Sequence, residues 1–279
     1  MALWPQWIAE LRSAEQHLQL HRPLLQLAHD ETTLNRQRAL AIKRQPLGLR
    51  MVPANEIPMQ AEGGLLSAED GRVEPVTFVR ALLSSMAIHE VRQIPVKAEA
   101  LHRTGHDISA RWRVVTSDAG SGVYDTVVIC SALHSDELLE PLGHQRRMTP
   151  VLGQAIELQL EDGPENWVGW PAVLVSQGFN LIPLEPGRLL LGATVEPGDQ
   201  GSAKPLELMK RLEGRGPEWL SNASAIQQWS GLRARPLERP APLLEELEPG
   251  LLLATGHYRN GILLAPATAE WVEQKLRAQ

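Results

Sequence analysis

The stretch LLLATGHYRNGILLAPATAEW, residues 251–271, decides how the C-terminal part of this chain folds. An apolar run typical of a buried strand is followed by a turn with two glycines and then by a pattern typical of a helix. This order directs the first N–H groups of the helix, and the positive end of its dipole, toward the mouth of the loop. The turn therefore suits a ligand on which negative charge develops. Composition alone also allows a purely structural turn, with Gly256 and Gly261 at positive φ.

Composition excludes several classes of protein. The chain has 279 residues, of which 43% are hydrophobic, which is enough for one large domain or two ordinary ones. Its net charge of -6 and its lack of a basic run argue against nucleic acid or an anionic membrane as a partner. Cys130 is the only cysteine, so one chain can build neither a disulfide nor a cysteine metal site. We expect a reduced, cytoplasmic protein with no metal site and no membrane span.

Periodicity predicts a mixture of helices and short strands. Apolar residues spaced three, four and seven apart near the start predict that the chain opens within a turn of a helix. The apolar runs EVRQIPV, ISARWRVVTS and YDTVVICSAL, between His89 and Leu133, favour strands separated by Gly and Asp turns. The alternation in VLGQAIELQL, and two runs joined at EPG in FNLIPLEPGRLLLGATVEPG, favour antiparallel strands. Apolar steps of three and four after Ile262 predict a C-terminal helix, which accommodates Pro266 if it begins within about a turn of it.

The string GHYRNGILLAPAT, residues 256–268, closely resembles the C-terminal flavin motif of the FAD-dependent D-amino-acid oxidase superfamily. The resemblance is to the glycine oxidases of thiamine biosynthesis in particular. Further stretches follow in the order that this family has. They are DGRVEP before a helix, TVVICSALHSDELLEPLG, TPVLGQAIEL, GRLLLGATVEPGD and WSGLRARP. The resemblance thus covers nearly the whole chain.

The resemblance implies an FAD-dependent oxidoreductase that oxidises glycine or another small amino acid or amine. In such oxidases a hydride passes from the substrate α-carbon to the flavin, and oxygen reoxidises the cofactor to give an imino acid and hydrogen peroxide. The chemistry belongs to the flavin, and the protein must clamp the substrate carboxylate. Arginine is the suitable group because its planar fork matches a carboxylate.

The resemblance also implies the site residues. Arg233 matches the family's carboxylate-binding arginine and Arg259 its second active-site arginine, so both are candidate catalytic residues. Each also allows a simpler interpretation as a surface ion-pair residue. Asn180 stands where the family usually has a substrate-facing tyrosine. The predicted cofactor-binding residues are Gly256, His257, Tyr258, Asn260, Gly261, Ile262 and Leu263.

One departure from the family is an absence in the sequence. No G-x-G-x-x-G follows any strand, so the βαβ unit that cradles the FAD pyrophosphate in this family is missing from the chain. We therefore expect an α+β fold that combines an α/β remnant of an FAD-binding domain with an antiparallel-sheet substrate domain. Residues 1–18, 71–146 and 247–279 are predicted to form the first, and residues 19–70 and 147–246 the second.

Two other functions stay open at this point. The chain could be a catalytically inactive, truncated homologue that binds a small carboxylate or a partner protein. It could also be one half of a split oxidase whose nucleotide-binding part is a missing N-terminal segment or a separate chain. Homo-oligomers are compatible with all three.

Overall fold

The computed structural model of the protein describes residues 3–105, 112–164 and 166–278. The chain forms two compact units from non-contiguous segments. The first unit comprises Met1–Leu82, Leu152–Glu196 and Gln200–Gly231, and the second comprises Leu83–Val151, Pro197–Asp199 and Leu232–Gln279. Both units combine helices with sheets, which confirms the predicted α+β class. The division into FAD-binding and substrate-binding segments stays a prediction, because compactness reports packing and not ligand binding.

The first unit is built around a mixed sheet of nine strands, although residues 148–151, 197 and 232–236, at the ends of three of these strands, belong to the second unit. In sheet order these are β12 (Glu196–Pro197), β8 (Met148–Gln159), β11 (Arg188–Gly192), β10 (Phe179–Pro183), β9 (Val173–Ser176), β1 (Leu24–Ala28), β3 (Gly63–Ser67) and β2 (Leu49–Pro53), with β13 (Ser224–Pro236) paired to β8. Strands β8, β11, β10 and β9 are antiparallel neighbours, and the β10–β11 hairpin turns at EPG as predicted. Asn180 lies opposite Gly192 in this hairpin.

Alternate residues of these strands form the core of the first unit. Because side chains alternate between the two faces of a strand, every second apolar residue points to the same side. The buried leucines of this face are Leu25, Leu27, Leu158, Leu174, Leu181, Leu189 and Leu191. Helices α5 (Ala203–Lys210) and α6 (Glu218–Asn222) add Met209 and Leu220 to the same core.

Three further helices belong wholly or partly to the first unit. They are α1 (Trp4–Leu11), α2 (Glu31–Lys43) and α3 (Pro75–Ile88). Asp30 caps α2 by accepting the Thr33 N–H at 2.8 Å. Trp4 of α1 and Phe78 of α3 pack with ring centroids 5.1 Å apart, so the start of the chain is anchored in a small core of its own.

The second unit contains two three-stranded sheets. Their strands are β14 (Leu243–Glu248), β15 (Leu251–Thr255) and β7 (Val127–Ile129) in one, and β4 (Ala98–Arg103), β5 (Trp112–Thr116) and β6 (Ser121–Tyr124) in the other. Its helices are α4 (Ser135–Leu139) and α7 (Gly261–Arg277). β15 is the central strand and pairs in parallel with β7. The predicted adjacency of the apolar strand at residues 251–255 and the strand at residues 126–131 is therefore confirmed.

Two local predictions differ from the structure. The run EVRQIPV forms no strand: residues 91–96 lack strand structure, and Val91 and Ile94 are exposed. A strand needs a hydrogen-bonding partner, and among the described strands none lies beside this run. Conversely, β14 was not anticipated, although its apolar and acidic residues pair along the whole of β15. No helix within the described ranges is long and apolar enough to cross a bilayer.

Replacing Leu253 tests the central role of β15. Leu253 is fully buried in the core of the second unit, so Leu253→Ala should lower the free energy of unfolding by about 2–5 kcal/mol. Leu276→Ala, at an exposed position of α7, is the control and should change it by less than about 0.5 kcal/mol. Chemical denaturation followed by circular dichroism measures both. Equal effects of the two variants would contradict the assignment of β15 as the core strand.

Candidate functional site

The turn after β15 is set by a close approach of the backbone at Gly256. All five residues of β15 are buried, and Gly256 follows them with φ +66°. A Cβ atom at this position would lie 2.8 Å from Pro236 Cγ and 3.4 Å from Leu243 Cγ. Glycine is therefore required both for the left-handed conformation and for the space. The chain leaves the sheet at this point, in the direction that leads into α7.

The loop between β15 and α7 is short and strained at one residue. Residues Tyr258–Asn260 form a single 3-10 turn, and the Asn260 N–H donates to the His257 carbonyl at 3.0 Å. The purely structural interpretation of the turn places both Gly256 and Gly261 at positive φ. It is right for Gly256 but wrong for Gly261, which is helical with φ −54°. Tyr258 takes the positive value instead, at φ 55°, a conformation that costs a non-glycine residue about 1–3 kcal/mol.

Gly261 has no steric reason within the described part of the chain to be glycine. Among the described residues, a Cβ added there would meet only His257 Cβ, at the ordinary contact distance of 3.9 Å. Its φ suits any residue, and glycine in a helix is less favourable than alanine by about 1 kcal/mol. The first residue of α7 therefore leaves open space beside its backbone. Such space allows a flat ligand to approach the helix backbone closely.

His257 fastens the loop to α7. Its Nε2 lies 2.8 Å from Thr268 Oγ1, in the second half of the GHYRNGILLAPAT motif. Burial lowers the pKa of His257, so the ring is neutral at neutral pH. The contact joins the residue after Gly256 to the third turn of the helix, and it holds both ends of the motif together.

Helix α7 begins earlier than the sequence predicted. It starts at Gly261, and Pro266 is its sixth residue, more than one turn from the start. Pro266 cannot donate to the Ile262 carbonyl, so the helix loses one internal hydrogen bond there. The side chain of Asn260 makes no capping hydrogen bond at the start of the helix. The last turn carries Lys275 and Arg277, at the end of the helix where the dipole favours cations.

Arginine side chains gather at this loop. Arg233 and Arg235 alternate with the buried Ala234 and Pro236 along the end of β13, so both arginines lie on the same face of the strand. Burial, and next the positive charge of Arg259, lower the pKa of Arg233. The charge of Arg259 thus acts on Arg233, and the binding of one substrate by both arginines stays a prediction.

Arg235 is a third arginine at the loop, and the sequence interpretation missed it. Its guanidinium lies over the Tyr258 ring, 5.7 Å from the ring centroid, which is cation–π geometry. The alternation in RARP places Arg235 on the same side of the strand as Arg233, and this pattern was the available signal. The contact with Tyr258 depends on the tertiary fold and has no local signature.

Asn180, the remaining predicted substrate-binding residue, lies on β10 in the first unit. Its convergence with Arg233 and Arg259 in one cleft stays a prediction. The predicted cofactor-binding residues lie together, because they form the loop and the first turn of α7. Within the described ranges, no group of three or more metal-ligating side chains comes together.

Comparisons with known proteins place the chain in a family of FAD-dependent oxidoreductases. The family model DAO, FAD dependent oxidoreductase, matches residues 1–275. Glycine oxidase from Bacillus licheniformis is 32% identical over 160 residues, which cover 56% of this chain and 42% of that protein. The bifunctional protein ThiO/ThiG from Synechocystis is 31% identical over 222 residues, which cover 78% of this chain and 32% of that protein. The chain thus spans less than half the length of these curated relatives.

A crystal structure is similar over the whole chain. Glycine oxidase from Geobacillus kaustophilus superposes with a TM-score of 0.82 at 22% identity, covering 100% of this chain and 77% of that one. This similarity establishes a shared fold. About a quarter of the glycine oxidase chain has no counterpart in the superposition.

Two glycine substitutions test the different roles of Gly256 and Gly261. Gly256→Ala should destabilise the protein by more than about 1 kcal/mol, because alanine disfavours the required φ and its Cβ would collide with Pro236. Gly261→Ala should leave the unliganded protein as stable or raise its free energy of unfolding by up to about 1 kcal/mol. Chemical denaturation without ligand measures both. A destabilising Gly261→Ala would show that the chain itself, and not a ligand, needs glycine there.

Proposed function

We propose that this chain, which belongs to the DAO family of FAD-dependent oxidoreductases, carries the flavin-ring and substrate-carboxylate contacts of an amino-acid oxidase of the glycine-oxidase type. The observation that carries the proposal is the loop that opens α7, in which Arg259 stands two residues before the open backbone of Gly261. A guanidinium group at the positive end of a helix forms a site for an anionic ligand. The substrate class is glycine or another small amino acid or amine.

The residues of the turn fit the ring end of FAD, the cofactor of this family. The open space beside Gly261 accommodates a flat ring against the backbone. The first-turn N–H groups of α7, including those of Ile262 and Leu263, would face the pyrimidine side of the ring, where negative charge develops on reduction. The sequence has no G-x-G-x-x-G loop for the pyrophosphate, so the fit extends to the ring and not to the whole dinucleotide.

The chain's own residues would bind and orient the substrate. Arg233 would clamp its carboxylate in bidentate fashion, and Arg259 would supply a second positive charge. Holding the carboxylate fixes the position of the α-carbon, which is the main contribution of positioning residues to the rate. FAD, held at its ring end by the turn after β15, would supply the acceptor for the hydride of the α-carbon and the reaction with oxygen that gives hydrogen peroxide. The substrate nitrogen also loses a proton, so the product is an imino acid.

The edge strand β7 offers a place where a partner segment for this function can pair. β7 pairs only with β15 among the described strands, and an unpaired strand edge is a template for another strand. We propose that a nucleotide-binding strand and helix pair here, supplied by a further segment of the polypeptide or by a separate chain. The same site without this segment would bind a small carboxylate but perform no oxidation, which is the alternative function.

Removing Arg233 tests the substrate clamp. In an active, flavin-containing form, Arg233→Ala should cost about 2–4 kcal/mol of transition-state stabilisation, because it removes a charge-assisted bidentate contact. The measurement is kcat/KM with glycine and other small amino acids. Arg239→Ala is the control, since Arg239 is paired with Glu245 at 3.3 Å on the surface. An unchanged kcat/KM in Arg233→Ala would exclude Arg233 from the proposed role.

The isolated 279-residue chain should retain FAD weakly or not at all. Loss of the pyrophosphate contacts removes a helix-end anion site, and even ~4 kcal/mol of lost binding free energy weakens affinity about a thousandfold. Visible absorbance after desalting, followed by a peroxide assay with glycine and added FAD, measures this. Fusion to the N-terminal segment of Bacillus licheniformis glycine oxidase should restore the flavin absorbance. A yellow, peroxide-producing preparation of the chain alone would show that the segment is dispensable.

A further inference from the structure

A cavity of about 880 Å³ lies in the first unit, and no step of the proposed reaction uses it. All of its lining residues belong to the segment Met1–Leu82 of that unit. Its volume falls within the range of about 300–1,000 Å³ that is usual for small-molecule sites. The cavity is therefore large enough for a ligand, and its residues are distant in sequence from the loop that opens α7.

The floor of the cavity is a mainly apolar patch on three adjacent strands. Leu24 of β1 lies opposite Ser67 of β3, and Ser67 lies opposite Leu49 of β2, so these residues stand side by side. Leu65 lies two positions from Ser67 on the same face of β3 and is 5% exposed. All four residues line the cavity. The floor thus offers three leucines to the apolar part of a ligand.

Polar side chains beside this floor have partners of their own. The Ser67 hydroxyl donates to the Asp70 carboxylate at 2.7 Å. Arg22 and Glu69 form an ion pair of 2.8 Å, so their charges offset each other. Because these contacts are already made, the floor itself recognises a ligand chiefly through its leucines.

The edge of the cavity is formed by the end of α2 and the residues that follow it. Leu40 and Arg44, the C-cap residue of α2, are four positions apart and line the same cavity. Leu47, in the 3-10 turn Gln45–Leu47, also lines it and is 60% exposed. This edge is therefore apolar and open to solvent, so that a ligand can enter past it.

The same edge is basic, although the chain as a whole is acidic. Residues 36–50 contain five cationic residues and no acidic one, whereas the net charge of the chain is -6. One of the five, Arg38, is paired with Glu31 at 3.0 Å, and another, Arg44, lines the cavity. A positive local field beside an apolar floor attracts a molecule with an anionic group at one end of an apolar chain.

We propose that this cavity binds a single-chain amphiphile with an anionic head group, such as a medium-chain carboxylate. Its alkyl chain would lie on Leu24, Leu49 and Leu65, and its head group would lie at Arg44. The proposal is independent of the proposed function, because none of these residues belongs to the loop or to the end of β13. The ligand is not a substrate, since a simple alkyl carboxylate has no amino group to oxidise.

Calorimetry on the 279-residue chain with hexanoate, octanoate and decanoate tests the proposal, at concentrations that form no micelles. Each pair of added methylenes should tighten binding about tenfold, because each buried methylene adds a similar favourable free energy. Decyltrimethylammonium has the same chain length as decanoate with a cationic head group, and it should bind about tenfold more weakly than decanoate.

Three variants test the head-group site. Arg44→Gln should weaken decanoate binding about tenfold, because it removes a charge-assisted contact. Leu47→Asp should weaken it to a similar extent by placing a negative charge at the edge, and its exposed position spares the fold. Arg38→Gln is the matched control: it removes the same charge from the same helix at a position that does not line the cavity, and it should leave the affinity unchanged.

Several outcomes would overturn the proposal. They are equal affinities for hexanoate and decanoate, equal affinities for decanoate and decyltrimethylammonium, and parent-like decanoate binding by both Arg44→Gln and Leu47→Asp. Decanoate binding that is lost in Arg233→Ala but kept in Arg44→Gln would place the ligand at the proposed substrate clamp. That result would exclude the cavity and support the proposed function, so the two proposals fail separately. Sedimentation with phosphatidylglycerol vesicles, without binding of dissolved decanoate, would indicate a membrane surface and would also overturn the proposal.

Discussion

The close approach of Gly256 to Pro236 is the constraint on which the candidate site depends. β15 is buried along its whole length and can leave the sheet only where the backbone has room to turn. At Gly256 the space is limited by Pro236 of β13 and Leu243 of β14. The turn therefore packs against Pro236, at the end of the strand that carries Arg233 and Arg235. One glycine thus allows the chain to turn from β15 into the loop that leads to α7.

The electrostatics of the site follow from this placement. The chain as a whole is acidic, with a net charge of -6, yet Arg235 lies over the ring of Tyr258, next to Arg259, and the charge of Arg259 lowers the pKa of Arg233. Elsewhere in the second unit, as with Arg146 and Glu245, arginines have carboxylate partners. Guanidinium groups near the positive end of a helix attract anionic ligands.

The two glycines of the motif contribute to the site in different ways. Gly256 is needed by the chain itself, because its φ and its neighbours exclude a side chain. Gly261 is sterically free and helical, so its backbone is open to a ligand. The pyrophosphate end of FAD has no matching glycine loop in the sequence. The chain thus contains the turn that we propose contacts the flavin ring. The edge strand β7 gives a place where a nucleotide-binding segment can pair.

The sequence by itself determined the elements whose signals are local. The strand, glycine loop and helix after Leu251 and the hairpin at EPG follow from apolar periodicity and turn residues, which act within a few positions. Arg233 and Arg259 were found through the motifs that contain them. The run EVRQIPV was predicted as a strand because local pattern carries no information on whether a partner strand is present.

Only the tertiary structure decided which residue of the loop takes positive φ and which arginines meet. Packing of Gly256 against Pro236 and the tether from His257 to Thr268 fix the path of the loop. Tyr258 consequently adopts the left-handed conformation, and Gly261 joins the helix. The contact between Arg235 and Tyr258 forms only because the tertiary fold places the end of β13 beside the loop. Contacts between residues more than twenty positions apart depend on the packing of whole strands, which no local pattern encodes.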